Sequence, residues 1–267
     1  MRSARVTALL SNPKSLVPWA VSQCADSLIA ALLAPACAVC GGILDRPSEG
    51  CVCINCWRSV LPITPPICHR CGDPLPRSDG DCANCSSRPL TVARARAIGE
   101  YEGTLREIIH ALKYGGRISL ARPLAERMQQ RGRDLLHDVD CVVPVPLHWR
   151  REYHRGFNQA REIARHLGPP IAEALRRLRA TRPQVELPAD RRRANVMGAF
   201  AIRKQWWRQP AIRGKKVLLV DDVSTTGATL ESCATVLRDS DASEVYTLTA
   251  ARVVTRRRPR PALIPNP

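Results

Sequence analysis

Two runs of residues carry chemistry in their type and spacing. The first is VLLVDDVSTTGAT at 217–229. Its four aliphatic residues predict a buried strand that delivers Asp221 and Asp222 to its carboxyl end, where ligands of open α/β sheets bind. Adjacent carboxylates there can accept hydrogen bonds from the two hydroxyls of a ribose. After Val223, the residues Ser224, Thr225, Thr226, Gly227, Ala228 and Thr229 turn into a helix, whose first N–H groups, hydroxyls and dipole suit a phosphate. Together they read as a site for a phosphorylated ribose. A plain buried strand followed by a helix capped by Asp222 or Ser224 explains one aspartate but leaves the other, and Thr225-Thr226-Gly227, without a purpose. The run has no Lys and no GKT, which argues against a nucleoside-triphosphate P-loop.

The second run is made of cysteines. Of 12, eight form four C-x-x-C pairs: Cys37 and Cys40, Cys53 and Cys56, Cys68 and Cys71, Cys82 and Cys85. Two thiolates on one turn chelate half of a tetrahedral zinc, and a second knuckle a dozen residues on completes four sulfurs. Four pairs therefore predict two zinc ribbons with structural zinc, two ions in all. A disulfide framework would need an export signal, and a redox C-x-x-C would stand alone beside a βαβ unit. Pairing first with second and third with fourth, or first with third and second with fourth, uses the same ligands, and Cys51 beside Cys53 adds an ambiguity. Cys141 and Cys233 lie in apolar patterns and are expected as small core residues.

The elements that must hold these residues follow from the hydrophobic period. Residues 1–36 read as a basic lead and a short amphipathic helix over 19–33, and 37–90 as the cysteine module, too poor in large aliphatics for its own core. From 91 to 255 strands alternate with helices: a strand near 97–101, a helix with Leu105, Ile108, Ile109 and Leu112 on one face, a helix near 118–130, and a short strand at 141–143. A helix at 158–167, a strand at 216–221, a helix at 226–237 and a strand at 244–254 complete the set. That order predicts an α/β fold with a parallel sheet flanked by helices. Residues 182–200 show no period and read as a long, mobile, Arg-rich loop able to close over a site, and 256–267 read as a disordered basic, Pro-rich tail.

The formal net charge is +17. Residues 144–213 hold 16 Lys and Arg against 5 Asp and Glu, and 252–260 add five Arg. Such a block attracts phosphate, whether of a nucleotide, a pyrophosphate or a nucleic-acid backbone. Aromatic residues are only 4%, a poor supply for base stacking. No apolar run approaches a membrane span, so no integral membrane segment is expected. Arg2, Arg5 and Lys14 before an apolar stretch imitate a secretory signal weakly. The thiolate pattern instead suits a reducing compartment, and the expected location is cytoplasmic. His148, His154 and His166 show no ligand spacing and are expected in solvated positions.

Two further segments, VVPVPLHWRREYHRGFNQA at 142–160 and RPQVELPADRRRANVMGAF at 182–200, sharpen the picture. With the cysteine pairs ahead of them and the DDVSTTGAT run behind, the chain resembles the ComF family, also called competence protein F or amidophosphoribosyltransferase-like proteins, from about residue 32 to 254. The resemblance implies a type I phosphoribosyltransferase fold with a small N-terminal double zinc ribbon, and a site for phosphoribosyl pyrophosphate with Mg²⁺. It implies transfer of the phosphoribosyl group to a nitrogen acceptor or, in a non-catalytic version, a phosphoribosyl pyrophosphate- or nucleotide-binding module. It also implies a link to DNA uptake, with single-stranded DNA and competence machinery proteins as partners. Asp221 and Asp222 would orient the ribose, and Arg155 with Gly156 would meet the departing pyrophosphate. On the residues alone, a plainer alternative is that Arg155-Gly156 caps the helix that begins near Asn158. Lys113, in LKYGG, reads as a helix C-terminal residue, and the resemblance makes it a candidate phosphate contact.

Overall fold

The computed structural model describes residues 26, 34–76, 80–87, 90–179, 198–203 and 212–254. Apart from residue 26, the expected helix at 19–33 lies outside them, as do the tail at 256–267 and residues 182–197 of the expected loop.

Alternation at the residue level builds the sheet. Strands β1 (Arg94–Glu100), β2 (Cys141–Pro144), β5 (Lys216–Ser224) and β6 (Glu244–Arg252) pair in the order β1-β6-β5-β2, every pair parallel. Successive side chains of a strand point to opposite faces, and a parallel sheet buries both. Accordingly Leu218 and Val220 join Ile98, Val142 and Leu248 in one core layer, while Val217 and Leu219 join Cys141, Val143 and Val245 in the other. Cys141 and Cys233 are buried core residues.

Helices α3 (Gly103–Tyr114), α4 (Ala121–Arg131) and α7 (Gln159–Ala164) cover the first face. The stripe Leu105, Ile108, Ile109 and Leu112 is fully buried, as its spacing requires. Helix α8 (Ala228–Arg238) covers the second through Leu230, Cys233, Ala234 and Leu237. A short antiparallel pair, β3 (Leu175–Arg177) and β4 (Phe200–Ile202), packs on that side. The helix expected at 118–130 opens as one 3₁₀ turn, Ile118–Leu120, before α4, and is followed by α5 (Arg133–Leu136). Helix α6 (Trp149–Arg155) precedes α7 and was not foreseen.

The cysteine module carries two helical turns, α1 (Ile54–Arg58) and α2 (Ala83–Ser86), and lies along the otherwise open edge of β1. The Glu100 N–H donates to the Leu61 carbonyl at 2.9 Å and the Ala95 N–H to the Arg70 carbonyl at 2.6 Å, so the edge is spoken for. Gly99 is needed there because a Cβ would collide with the Leu61 backbone. The first ribbon has no core of its own: Cys37, Leu44, Val52 and Cys56 belong to the layer that α3 and α4 form. Around the second, among the described residues, Cys68, Leu75 and Cys85 form a small cluster with Leu90 packed against it.

Candidate functional site

Strand β5 runs three residues beyond the strand the sequence suggests, through Asp221, Asp222 and Val223 to Ser224. Both aspartates therefore sit on rigid, paired backbone: Asp221 stands opposite Thr249 and Ser224 opposite Arg252 on β6. The Asp222 N–H donates to Asp221 Oδ1 at 2.8 Å, and Asp222 itself is 7% exposed. Lys113, in the last turn of α3, reaches Asp222 Oδ1 with Nζ at 2.7 Å. Burial works against the charged amine, but Asp222 and then Asp221 hold it above the ordinary lysine range. Burial, and next the charge of Asp222, push the Asp221 carboxyl up to about 7, with Lys113 and Arg177 of β3 pulling the other way. The strand end is thus a mixed cluster of two acids and two cations.

Beyond it Ser224 is 4% exposed and its Oγ has no hydrogen-bond partner. A buried, unsatisfied hydroxyl is costly unless something else completes it. Gly227 then takes φ +75°, which only glycine adopts without strain, and serves as N-cap of α8, so Ala228 and Thr229 open the helix. Neither Asp222 nor Ser224 caps it, which removes the plain strand-and-capped-helix account of these residues. Thr226 Oγ1 accepts from the Ala228 N–H at 3.4 Å.

The Val-Pro-Val-Pro turn lies beside this end, because β2 pairs with β5 from Cys141–Val217 to Pro144–Val220. Asn158 Nδ2 donates to the Val145 carbonyl at 3.0 Å, and Asn158 Oδ1 caps α7. Gly156, at φ +78°, ends α6, and the Arg155 guanidinium donates to Gln159 Oε1 and Tyr114 Oη, both at 3.1 Å. His148 is not solvated as expected. It is 7% exposed and caps α6, its Nδ1 accepting from the Arg150 N–H at 3.4 Å. Burial first, then Arg177, Arg150 and Arg151, push its imidazole below the ordinary range.

The cysteines resolve into two tetrads. Cys37, Cys40, Cys53 and Cys56 have all their sulfurs within 4.8 Å of one another, and so do Cys68, Cys71, Cys82 and Cys85. The first pair therefore joins the second, and the third the fourth, with Cys51 in neither. Tetrahedral zinc with sulfur at about 2.3 Å requires sulfur–sulfur edges of about 3.8 Å. Cys37–Cys56 and Cys40–Cys53 are both 3.8 Å, and Cys71–Cys82 is 3.7 Å. Backbone donors stand ready for thiolates: Val39 and Cys53 N–H point at Cys37 Sγ at 3.5 and 3.4 Å, and Cys82 N–H at Cys68 Sγ at 3.3 Å. Against burial, which raises it, such donors from Cys40, Cys53 and Val39 hold the Cys37 thiol down to about 6.

Comparison with known proteins agrees with this anatomy. Residues 28–86 match the family model of the double zinc ribbon domain and 154–263 that of the phosphoribosyl transferase domain. The DNA utilization protein YhgH of Escherichia coli K12 is 31% identical over 204 residues, which span 73% of this chain and 87% of that protein. Competence protein F of Haemophilus influenzae is 29% identical over 226 residues, 81% of this chain and 96% of the relative. The chain belongs to the ComF family. Competence protein ComFC of Bacillus subtilis is 28% identical over 216 residues, 78% of this chain and 87% of its own length. The fold is accordingly the type I phosphoribosyltransferase fold with an N-terminal double zinc ribbon, and the two four-cysteine clusters are structural zinc sites. The phosphoribosyl transferase match starts at residue 154, yet β1 and β2 belong to the same sheet as β5 and β6.

Sequence reasoning missed the pairing of Lys113 with Asp222. The signal was present: Lys113 lies four residues after Ile109, on the apolar stripe of α3, where an unpaired cation has no place. It also missed Arg177, for which a three-residue strand ahead of an aperiodic stretch offers no signal.

Proposed function

We propose that this ComF-family chain binds phosphoribosyl pyrophosphate with Mg²⁺ and transfers the phosphoribosyl group to a nitrogen acceptor. The observation that carries the reading is one strand end, where Asp221 and Asp222 stand beside a buried Ser224 hydroxyl that lacks a partner, just ahead of a glycine-capped helix. The ribose hydroxyls would be accepted by Asp221 and Asp222. The 5′-phosphate would occupy the cradle of Ser224, Thr225, Thr226, Gly227, Ala228 and Thr229, where its oxygens complete Ser224 Oγ and meet the helix N-terminus. Carboxylate oxygens beside an anion cradle fit Mg²⁺, which binds through one or two carboxylates and the ligand's own phosphates and supplies charge neutralisation of the leaving pyrophosphate. Arg155 and Gly156 would serve the same leaving group. In this chemistry positioning and charge stabilisation do the work, and no side-chain nucleophile is required. On this reading the catalytic unit is 91–255, and a chain that keeps eight cysteines as zinc thiolates belongs in the reducing cytoplasm. Among the described residues no helix is long and apolar enough to cross a membrane.

A second reading, a nucleotide-sensing module that handles single-stranded DNA, is favoured by a different observation. The aromatic residues are few, but Trp149, Tyr153 and Tyr114 are 65%, 83% and 63% exposed, and the Arg150 and Arg155 guanidinia stand over the Trp149 and Tyr114 rings. Arginine alternating with exposed rings is how single strands are held without sequence preference, and one relative is named a DNA utilization protein.

Calorimetric titration of the zinc-loaded chain with phosphoribosyl pyrophosphate and Mg²⁺ tests the first reading. Micromolar binding is expected, lost in a folded Asp221→Asn, Asp222→Asn variant, with pyrophosphate released once the acceptor is present. No binding by the parent chain sinks the assignment. Salt-sensitive binding of labelled oligothymidylate that weakens in Trp149→Ala, Tyr153→Ala, with no phosphoribosyl pyrophosphate binding, promotes the second.

A further inference from the structure

The acidic pair is not balanced by its surroundings in a symmetrical way. One oxygen of Asp222 is held by Lys113 Nζ at 2.7 Å, with the two side chains 16% and 11% exposed. The Lys113 backbone is fixed, because Leu105, Ile108, Ile109 and Leu112 of the same helix are fully buried and the next residue, Tyr114, accepts the Arg155 bond. On the other side the Asp222 N–H engages Asp221 Oδ1, which keeps the neighbouring carboxyl turned back on its own strand. A buried ion pair of this kind adds little net stability, since desolvation offsets the attraction. What it does fix is direction.

We propose that Lys113 is the positioning residue of this site: by occupying one oxygen of Asp222 it leaves the other aimed as acceptor of a single ribose hydroxyl, and so sets selectivity for ribose over deoxyribose. This rests on the phosphoribosyl reading given above. A site built to take a hydroxyl's hydrogen bond rejects the analogue lacking it, because the buried acceptor is then left unpaired. Without Lys113 the carboxylate is free to rotate, and the hydroxyl loses its defined partner.

The test uses AMP, 2′-deoxy-AMP and 3′-deoxy-AMP, which present the same 5′-phosphate with one hydroxyl removed at a time. Each is titrated calorimetrically into the full zinc-loaded chain and into Lys113→Met, Lys113→Arg, Asp222→Asn and the Lys113→Met, Asp222→Asn double variant. The parent is expected to prefer AMP over at least one deoxy form by about ten-fold or more, as for a hydrogen bond to a charged group. That preference should fall below about three-fold in Lys113→Met, return in Lys113→Arg, and be no lower in the double variant than in Asp222→Asn, since Lys113 acts only through Asp222. A preference that survives Lys113→Met overturns the proposal, as does a further loss of AMP affinity in the double variant beyond that of Asp222→Asn. Should Lys113→Met not fold, that last comparison decides alone, for the double variant strands no carboxylate. Binding without hydroxyl preference in the parent overturns only the role of Lys113, whereas a parent that binds neither AMP nor phosphoribosyl pyrophosphate takes the phosphoribosyl reading down with it.

Discussion

Asp221 illustrates how much a single position can hold. Burial and the neighbouring Asp222 raise its carboxyl to about 7, while an unfolded aspartate titrates near 3.9. Between those values the folded chain binds a proton that the unfolded chain does not. The contribution of Asp221 to stability is therefore fully present below pH ~4 and is lost as pH rises through about 7, with a slope of up to about 1.4 kcal/mol per pH unit. Asp221→Asn keeps the shape and removes the titration. Urea unfolding of the two proteins across pH 4 to 8 should show the variant gaining relative to the parent as pH rises, level above about 7. A constant difference would mean that the carboxyl titrates normally. For ligand binding the sign is opposite, since a carboxylate accepts a hydroxyl hydrogen bond better than a carboxylic acid does, so affinity for a ribose phosphate should rise through the same window.

At the scale of elements, the second ribbon is tied to the carboxyl end of the sheet by a buried pair. Asp73, in the loop after Cys71, accepts from Arg252 Nε at 2.6 Å, with both side chains 12% exposed. Arg252 closes β6 opposite Ser224, and the next N–H, of Val253, donates to the Ser224 carbonyl at 2.8 Å. Burial lowers the Arg252 guanidinium, but Asp73 first and then Cys71 and Cys85 more than offset it, so the arginine also answers the charge of the thiolates. Removing one partner strands the other. Asp73→Ala should lose about 3–5 kcal/mol in chemical denaturation, and Asp73→Ala, Arg252→Met should recover most of it; equal losses in the two would show that the pair is not coupled. No periodicity in the sequence announces such a tie, which joins residues 179 positions apart. The sequence does announce what local pattern controls. The apolar run at 217–220 specifies β5, and the spacing of Leu105 to Leu112 specifies α3. The four C-x-x-C pairs specify the metal ligands but not their partners, because sharing an ion depends on which knuckles the chain brings together. Helix α6 escaped notice because its sequence WRREYHR has no apolar face to betray it, and His148 escaped because a buried cap needs only one residue.

On the scale of the whole molecule, the zinc module acts as the cover of an edge that would otherwise be open. Strand β1 pairs with β6 on one side only, and on the other its donors at Ala95 and Glu100 end on carbonyls of residues 70 and 61, which belong to the ribbons. Among the described residues the second ribbon has only a small apolar cluster of its own, Cys68, Leu75 and Cys85 with Leu90 against it, and the first borrows the layer of α3 and α4. Metal binding is then folding free energy for the module, and losing the metal should uncover the edge while the sheet persists. Two zinc ions per chain are expected by elemental analysis, and one in a Cys68→Ser, Cys71→Ser variant that spares the first tetrad. Chelation should leave most of the far-ultraviolet circular dichroism in place and bring concentration-dependent association through β1, visible in light scattering and reversed when zinc is restored. Chain that stays monomeric after losing both ions would show that the 61 and 70 segments hold the edge by backbone pairing alone, and that zinc serves the ribbons and not the sheet they cover.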